Sequence, residues 1–330
     1  MIAVAVCTYN PDERLLARTL EAIESQQSPP GGIECVIVDN CSSPPVNTLP
    51  VVEAFLRRCS WARVVLQPKQ GLTNARLAAI EHTTADCLCF IDDDNEPASD
   101  YLLTALKIFS EFSCVGVVGA GRIEVDFVDP VPEGFARRFS HHFQENDFKG
   151  YAYGCVSGTW TDYYPPGSCM VVRREVLTEF RSAFLGGQIS ASDRVGFSLS
   201  SGGDTQIVWE AVKMGFAAGI SSGLRLKHMI PAKRISLAYI KRLCYGTSSS
   251  YLPALVDSFP LERSKLPKPP STARIAWTIV KMTASHVLRN KIGLLPIGLA
   301  TYLGRIDGLM RATGTQNRLI ERSIRVLGLQ

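Results

Sequence analysis

Through the first 120 residues, short apolar runs alternate with longer stretches whose apolar residues recur every three or four positions. Residues 2–7 read as a strand, and 11–26 as a helix carrying Leu15, Leu16, Leu20 and Ile23 on one face. The same alternation predicts strands at 35–38, 63–66, 87–91 and 115–118, with helices at roughly 50–59, 72–83 and 99–112 between them. Continuous β-branched runs joined by helices imply a parallel sheet covered on both faces. Residues 120–165, rich in Gly, Pro and aromatics, break the pattern and read as a long loop, either functional or mobile. A strand at 168–172 and a helix near 204–214 follow, then a Pro-rich linker at 259–272 and a helical region at 273–330. The expected fold class is therefore α/β, with a single Rossmann-like, mixed but mainly parallel sheet and a C-terminal helical region. Residues 1–258 would form the main domain, divided at 119 into a ligand-binding half and a second half at 120–258.

Charge changes this picture at one end. Residues 1–224 hold 17 Lys and Arg against 27 Asp and Glu, whereas 225–330 hold 18 against 4. A basic, amphipathic end suits an anionic membrane surface, or packing on the acidic remainder. No recognised nucleic-acid motif accompanies it, so nucleic acid is not an expected partner. The 13-residue apolar stretch at 292–304 is too short to span a bilayer, which takes about 20 residues. The first residues enter a strand without a basic leader, so no signal peptide is expected. The ten cysteines form no CxxC pair; Cys7, Cys35, Cys87, Cys89 and Cys114 read as buried thiols of a reducing compartment. The expected location is cytoplasmic, either free or peripheral on the cytoplasmic face of the inner membrane.

Ligands of such sheets bind outside the carboxyl ends of the strands. Those ends are polar here: Thr8-Tyr9-Asn10 after the first strand, Asp39-Asn40 after the second, Asp92-Asp93-Asp94-Asn95 after the fourth. Three adjacent carboxylates repel one another, which a bound Mg²⁺ or Mn²⁺ would relieve; a turn or helix cap is the alternative. Gly119-Ala120-Gly121 lacks the third glycine of a dinucleotide fingerprint and reads as a turn. Trp160, Asp162, Tyr163 and Tyr164 suit either sugar stacking or core packing.

CTYNP, VDNCS, GLTNAR, FIDDDNEP, PPGSCMVVRREV, SGGDTQIVWEAVKMGF and LKHMIPAKR occur over roughly residues 2–235 in the order seen in family 2 glycosyltransferases. The chain resembles that family. The resemblance implies the nucleotide-diphospho-sugar transferase fold and an inverting, metal-dependent transfer of one sugar from a nucleotide-sugar to a glycan or lipid-linked saccharide, as in bacterial polysaccharide biosynthesis. By position, Thr8, Tyr9, Asn10 and Asp39 would surround the nucleoside, with Arg76 near the base or diphosphate. Asp92 would face the ribose, beside Asp93, and Asp94 would ligate Mn²⁺ or Mg²⁺. His228, placed after a strand, would be a further metal or phosphate contact, though a single His is as readily structural. Asp39 suits a uracil base, making a UDP-sugar the expected donor, while guanine and thymine donors share the fold.

The resemblance makes Asp204 the general base. At a helix start it could instead be an N-cap, and that position would keep its carboxylate at low pKa. Relatives usually carry Glu just before it, where this chain has Gly203. The Gln-x-x-Arg-Trp motif of processive members is missing, so a single transfer is expected. Two other classes compete: a non-catalytic nucleotide-sugar-binding protein, which could dispense with Asp204, and a sugar nucleotidyltransferase, which should carry a Gly-rich basic loop after the first strand where this chain has CTYNPDE.

Overall fold

A computed structural model describes residues 1–190, 193–194, 199–289 and 292–329; Lys291, part of the predicted basic helical region, lies outside them. The first half alternates as the pattern predicts. Strand β1 (Ile2–Thr8) is followed by α1 (Glu13–Glu24), β2 (Ile33–Asp39), α2 (Pro50–Arg58), β3 (Ala62–Leu66), α3 (Leu72–Glu81) and β4 (Cys87–Asp92). Next come β5 (Asn95–Pro97), α4 (Tyr101–Glu111), β6 (Val115–Phe127), α5 (Phe135–Phe139), β7 (Asn146–Asp147) and β8 (Tyr151–Gly154). The remainder is β9 (Met170–Arg173), α6 (Arg174–Leu185), α7 (Gly203–Lys213), β10 (Ala217–Ile230), α8 (Leu237–Ser258), α9 (Thr272–Leu288), α10 (Leu295–Thr313) and α11 (Arg318–Val326).

These strands form one sheet in the order β3-β2-β1-β4-β9-β6-β10-β5, with β7 paired to β6 and β8 to β10. β1 to β4 are parallel, as are β6 and β10, while β9 runs antiparallel between β4 and β6. Period-two alternation divides the buried residues between two cores. Ile2, Val4 and Val6 face α1, α2 and α4, whereas Ala3 and Ala5 face α3, α6 and α7. The small alanines let α3 approach closely, and Trp209 of α7 fills the largest fully buried position of that layer.

Three expectations are corrected. Residues 120–165 are not one long loop, since they hold the second half of β6 and all of α5, β7 and β8. Gly119-Ala120-Gly121 is no turn but the middle of β6, which runs on to Phe127. Glycine is required there because a Cβ on Gly121 would lie 2.6 Å from the Ser221 carbonyl carbon of β10. Cys114 is exposed, whereas Cys35, Cys87 and Cys89 are buried and Cys7 partly so.

The C-terminal helices are continuous with the rest. α8 packs along α10, where the Tyr245 hydroxyl donates to Asp307 at 3.0 Å, and Tyr245 shares a core with Ile275, Leu303, Met310 and Ile320. In the Pro-rich segment Phe259 sets its ring edge-on to Trp209 of α7 at 5.7 Å, and residues 260–265 form a 3-10 helix, so the segment is anchored at its first residue and partly helical. Among the described residues no helix is long and apolar enough to cross a membrane.

Candidate active site

The parallel strands β1, β2 and β4 end side by side: Thr8 is in register with Asp39, and Cys7 with Asp92. The polar residues that follow them therefore converge on one edge, from separate parts of the chain. They open a cavity of about 230 Å³ lined by Thr8, Tyr9, Asn40, Arg76, Asp92, Asp93, Asp94, Asp193, Arg194, Asp204, His228 and Arg234, among others.

Asn10 and Asp39 do not line it. Asp39 is buried, and its two carboxylate oxygens accept the backbone N–H groups of Ser42 and Val46, each at 2.9 Å. Asn10 accepts from Ser43 N–H at 2.8 Å. Both shape the loop behind the cavity. Their neighbour Asn40 reaches the wall: its Oδ1 accepts Gly71 N–H at 2.7 Å and its Nδ2 donates to the Lys69 carbonyl at 2.8 Å, tying the β2 end to the start of α3.

The acidic triplet is divided by its surroundings. Burial and Asp94 raise the Asp92 carboxyl above its ordinary range. Burial and Asp94 also push Asp93 up to about 7, although it accepts a hydrogen bond from the Thr8 hydroxyl. Asp94 is as deeply buried, yet Arg234 at 2.6 Å, His228 and Arg194 together outweigh the desolvation and hold its pKa below the usual carboxylate value.

His228 sits inside β10, not after a strand as expected, paired in register with Asn95 of β5. Its Nδ1 lies 2.8 Å from the Phe143 carbonyl, and a carbonyl can only accept, so Nδ1 carries the proton. Burial lowers its pKa, so the ring is neutral and Nε2, which carries no proton, lies 3.8 Å from Asp94 Oδ1. A carboxylate oxygen and an unprotonated imidazole nitrogen at that separation suit a divalent cation that completes its shell with water and phosphate oxygens. No group of three or more His, Cys, Asp or Glu able to hold a metal occurs among the described residues. The Arg234 guanidinium bridges the pair, 2.6 Å from Asp94 and 3.5 Å from His228 Nε2.

On the opposite wall, α7 starts at Gly203 after an N-cap at Gly202. Asp204 is thus one residue inside the helix and is not its cap, and its side chain makes no capping bond. The cap is supplied from elsewhere: Asp193 Oδ1 accepts the N–H groups of Gly202 and Gly203 at 3.0 and 2.9 Å. Asp193 Oδ2 takes the Thr73 hydroxyl and Arg76 Nη1, both at 3.2 Å. A Cβ at Gly203 would lie 2.2 Å from that oxygen, so the Asp193 carboxylate occupies the space a side chain at 203 would need.

Arg76 is fully buried, lies over the Phe90 ring at 5.6 Å, and pairs with Asp193 and with Asp204. Its guanidinium is committed to these two carboxylates at the floor of the cavity. The expectation of a low pKa at Asp204 is corrected: burial pushes the carboxyl up to about 6 despite Arg76, with Asp193 and Asp92 pushing the same way. The helix-terminus effect is worth only ~0.3–1 kcal/mol at an exposed site, too little against desolvation and two like charges.

Asp204 also lines a second space. A groove of about 720 Å³ runs between this wall and the C-terminal helices, with Trp160, Gly167, Thr205, Tyr251, Arg305 and Ile306 on its sides. A Cβ at Gly167 would lie 2.0 Å from Asp204 Oδ2, so this glycine makes the room in which the carboxylate stands between the two spaces. Of the four residues 160 and 162–164 singled out above, Trp160 reaches the groove. Tyr164 is core, its hydroxyl bonded to the backbone of Val156, and Tyr163 packs on Gly154.

The sequence model of Glycosyl transferase family 2 matches residues 3–181, more than half of the chain. The chain belongs to this family. It is 27% identical over 123 residues to the succinoglycan biosynthesis protein ExoM of Rhizobium meliloti (strain 1021), an alignment spanning 37% of this chain and 38% of that protein. Among solved structures it is similar to the mannosyltransferase PcManGT from Pyrobaculum calidifontis, in complex with GDP-Man and Mn²⁺. That match has 17% identity, 92% of this chain and 86% of that one covered, and a TM-score of 0.55. It is also similar to GalNAc-T7 with UDP, GalNAc and Mn²⁺, at 14% identity over 76% of this chain and 48% of that one, TM-score 0.51. At these identities the likeness is one of fold.

Sequence reasoning missed Asp193, Arg234 and Gly167. Arg234 closes the quoted LKHMIPAKR block and Gly167 lies in PPGS, so both were visible without a role. Asp193 stands in no motif, and its importance appears only when residues 73, 76, 193 and 202–204 are brought together.

Proposed function

We propose that this glycosyltransferase moves one sugar from a nucleotide-sugar to a hydroxyl of a glycan or lipid-linked saccharide, with inversion, and that Asp204 is the general base. The observation that carries the proposal is that Asp204 lines both the carboxylate-rich cavity at the strand ends and the larger groove beside it. A donor in the first and an acceptor in the second would meet at this carboxylate.

Thr8, Tyr9 and Asn40 would enclose the nucleoside, a uridine being the expected one. Asp94 and His228 would hold Mn²⁺ or Mg²⁺, with Asp92 and Asp93 close by, and the ion would supply positive charge to the diphosphate. GDP-Man with Mn²⁺ in PcManGT, and UDP with Mn²⁺ in GalNAc-T7, support the use of a divalent ion with a nucleotide donor. The ion and Arg234 would compete for Asp94, so binding requires the guanidinium to swing aside, where it is free to pair with phosphate oxygens.

The acceptor hydroxyl would give its proton to Asp204 as its oxygen bonds to the anomeric carbon, and the nucleoside diphosphate leaves from the opposite face. A carboxyl titrating at about 6 is a stronger base than an ordinary aspartate while still largely ionised at neutral pH. Arg76, shared between Asp193 and Asp204, would hold that carboxylate in place. ExoM's role in succinoglycan synthesis supports a polysaccharide-building role.

A screen of nucleotide-sugars with Mn²⁺ by thermal shift would identify the donor, since a ligand bound only to the folded state raises apparent stability. With that donor, Asp204→Asn is expected to keep the thermal shift and lose transfer by ~10²–10⁴-fold. Transfer at the normal rate by Asp204→Asn would exclude this role.

A further inference from the structure

Helix α9 carries two apolar stripes, and only one of them has a partner. Ile275, Ile279, Met282 and His286 recur at spacings of four, three and four and face inward: Ile275 is fully buried, and Met282 and His286 border Gly298 of α10. On the opposite side Trp277, Val280, Val287 and Leu288, with the exposed Ala284 bridging the second and third, form a second stripe at spacings of three, four, three and one. The four larger side chains are 62%, 66%, 54% and 86% exposed. Apolar residues scattered singly over a surface need no explanation, but a continuous helical stripe ending in a Trp at one end and a Val-Leu pair at the other does.

The flanks of that stripe say what covers it. Helix α9 contains no Asp or Glu. Arg274 and Lys281 project along one side of the outer stripe, and the Lys281 ammonium lies 5.0 Å over the Trp277 ring. Residues 273–330 as a whole carry nine Lys and Arg against two acidic residues. A second copy of the chain would bring the same cations against each other, and a nucleic acid offers nothing to the apolar stripe. A lipid surface satisfies both: acyl chains take the apolar side chains, anionic headgroups take the cations, and indole sits well at the boundary between them. No helix among the described residues is long and apolar enough to span a bilayer, so this one would lie in the interface.

We propose that the outer face of α9, centred on Trp277, Val280 and Leu288 with Arg274 and Lys281 beside it, docks on an anionic lipid bilayer. The inference does not depend on the donor site. The groove beside Asp204 is walled partly by α10, the helix on which α9 packs, so docking would bring a lipid-linked acceptor near the base.

The test is co-flotation of the full-length protein with vesicles of phosphatidylcholine alone and of phosphatidylcholine with phosphatidylglycerol, at low and high salt. The wild type should partition at least ~tenfold better onto the anionic vesicles, and salt should weaken this. Trp277→Ser/Leu288→Ser and, separately, Arg274→Glu/Lys281→Glu should each lower partitioning by ~tenfold or more. Both pairs alter exposed side chains, so melting temperature and donor-induced thermal shift should stay at wild-type values, which separates lost docking from misfolding. Equal partitioning onto both vesicle types, or unchanged partitioning of the Trp277/Leu288 variant, would overturn the proposal. So would a wild-type dimer in analytical ultracentrifugation that Trp277→Ser/Leu288→Ser makes monomeric, since the face would then belong to a second copy.

Discussion

The Asp193–Arg76–Asp204 arrangement yields a prediction that separates charge from shape. Asparagine at 193 is nearly isosteric with aspartate and keeps Oδ1 for the N–H groups of Gly202 and Gly203, so the start of α7 should persist. What Asp193→Asn removes is the charge opposite Arg76. Arg76 keeps Asp204 as a partner, so the stability cost should be that of weakening a charge-assisted hydrogen bond, ~1.5–3 kcal/mol, and not the ~3–5 kcal/mol of orphaning a buried ion. The charges facing Asp204 are Arg76, Asp193, Asp92 and Arg194. Asp193 raises its pKa, so deleting that charge, with Arg76 no longer shared, must lower it. A drop of about one unit corresponds to ~1.4 kcal/mol. The acid limb of kcat/KM against pH, expected near 6 in the wild type, should therefore move down by about one unit, while the plateau rate falls several-fold because the base is weaker. Asp93 also titrates near neutrality, but its surroundings are Asp94, Thr8, Arg234 and Asp92, so the difference between the two profiles reports on Asp204. The assay is nucleoside diphosphate release between pH 5 and 8.5 with saturating acceptor. An acid limb that stays in place or moves up would refute the coupling, whatever happened to the rate.

Asp94→Ala should abolish the Mn²⁺-dependent part of the thermal shift given by nucleoside diphosphate, read by differential scanning fluorimetry with and without chelator. Gly167→Ala should cut kcat more than ~tenfold, because the new Cβ displaces the Asp204 carboxylate, while donor binding measured by calorimetry changes little. For pH and stability, Asp204 has a folded pKa of about 6 against an ordinary value of 3.8. The folded state then holds the proton longer than the unfolded one, so this group's contribution to stability falls as pH rises from about 4 to 6, by on the order of 3 kcal/mol. Denaturant melts of Asp204→Asn should lack that decline relative to the wild type, and parallel curves would contradict it.

By itself the sequence determined the alternation of β1 to β4 with their helices, because buried parallel strands must be apolar runs and their covering helices amphipathic. It also determined which residues reach the strand ends, since a strand has a fixed direction: Thr8, Asp39 and Asp92 fall there once the runs are recognised. Tertiary structure decided the rest. Gly119 to Gly121 looked like a turn because nothing local reveals that β10 passes against β6. Asp39 and Asn10 turned out to hold a loop, and Asn40 to reach the wall, because a one-residue change in direction at a strand end is set by hydrogen bonds to distant segments. Asp204, the expected base, was expected to keep the low pKa of a helix-start carboxylate, and only burial, with Asp193 and Asp92 beside it, raises its pKa against the pull of Arg76. Period and composition are local properties that a chain carries openly; desolvation and the pairing of charges depend on which distant residues become neighbours. That is why Asp193, in no motif, caps α7 and grips Arg76.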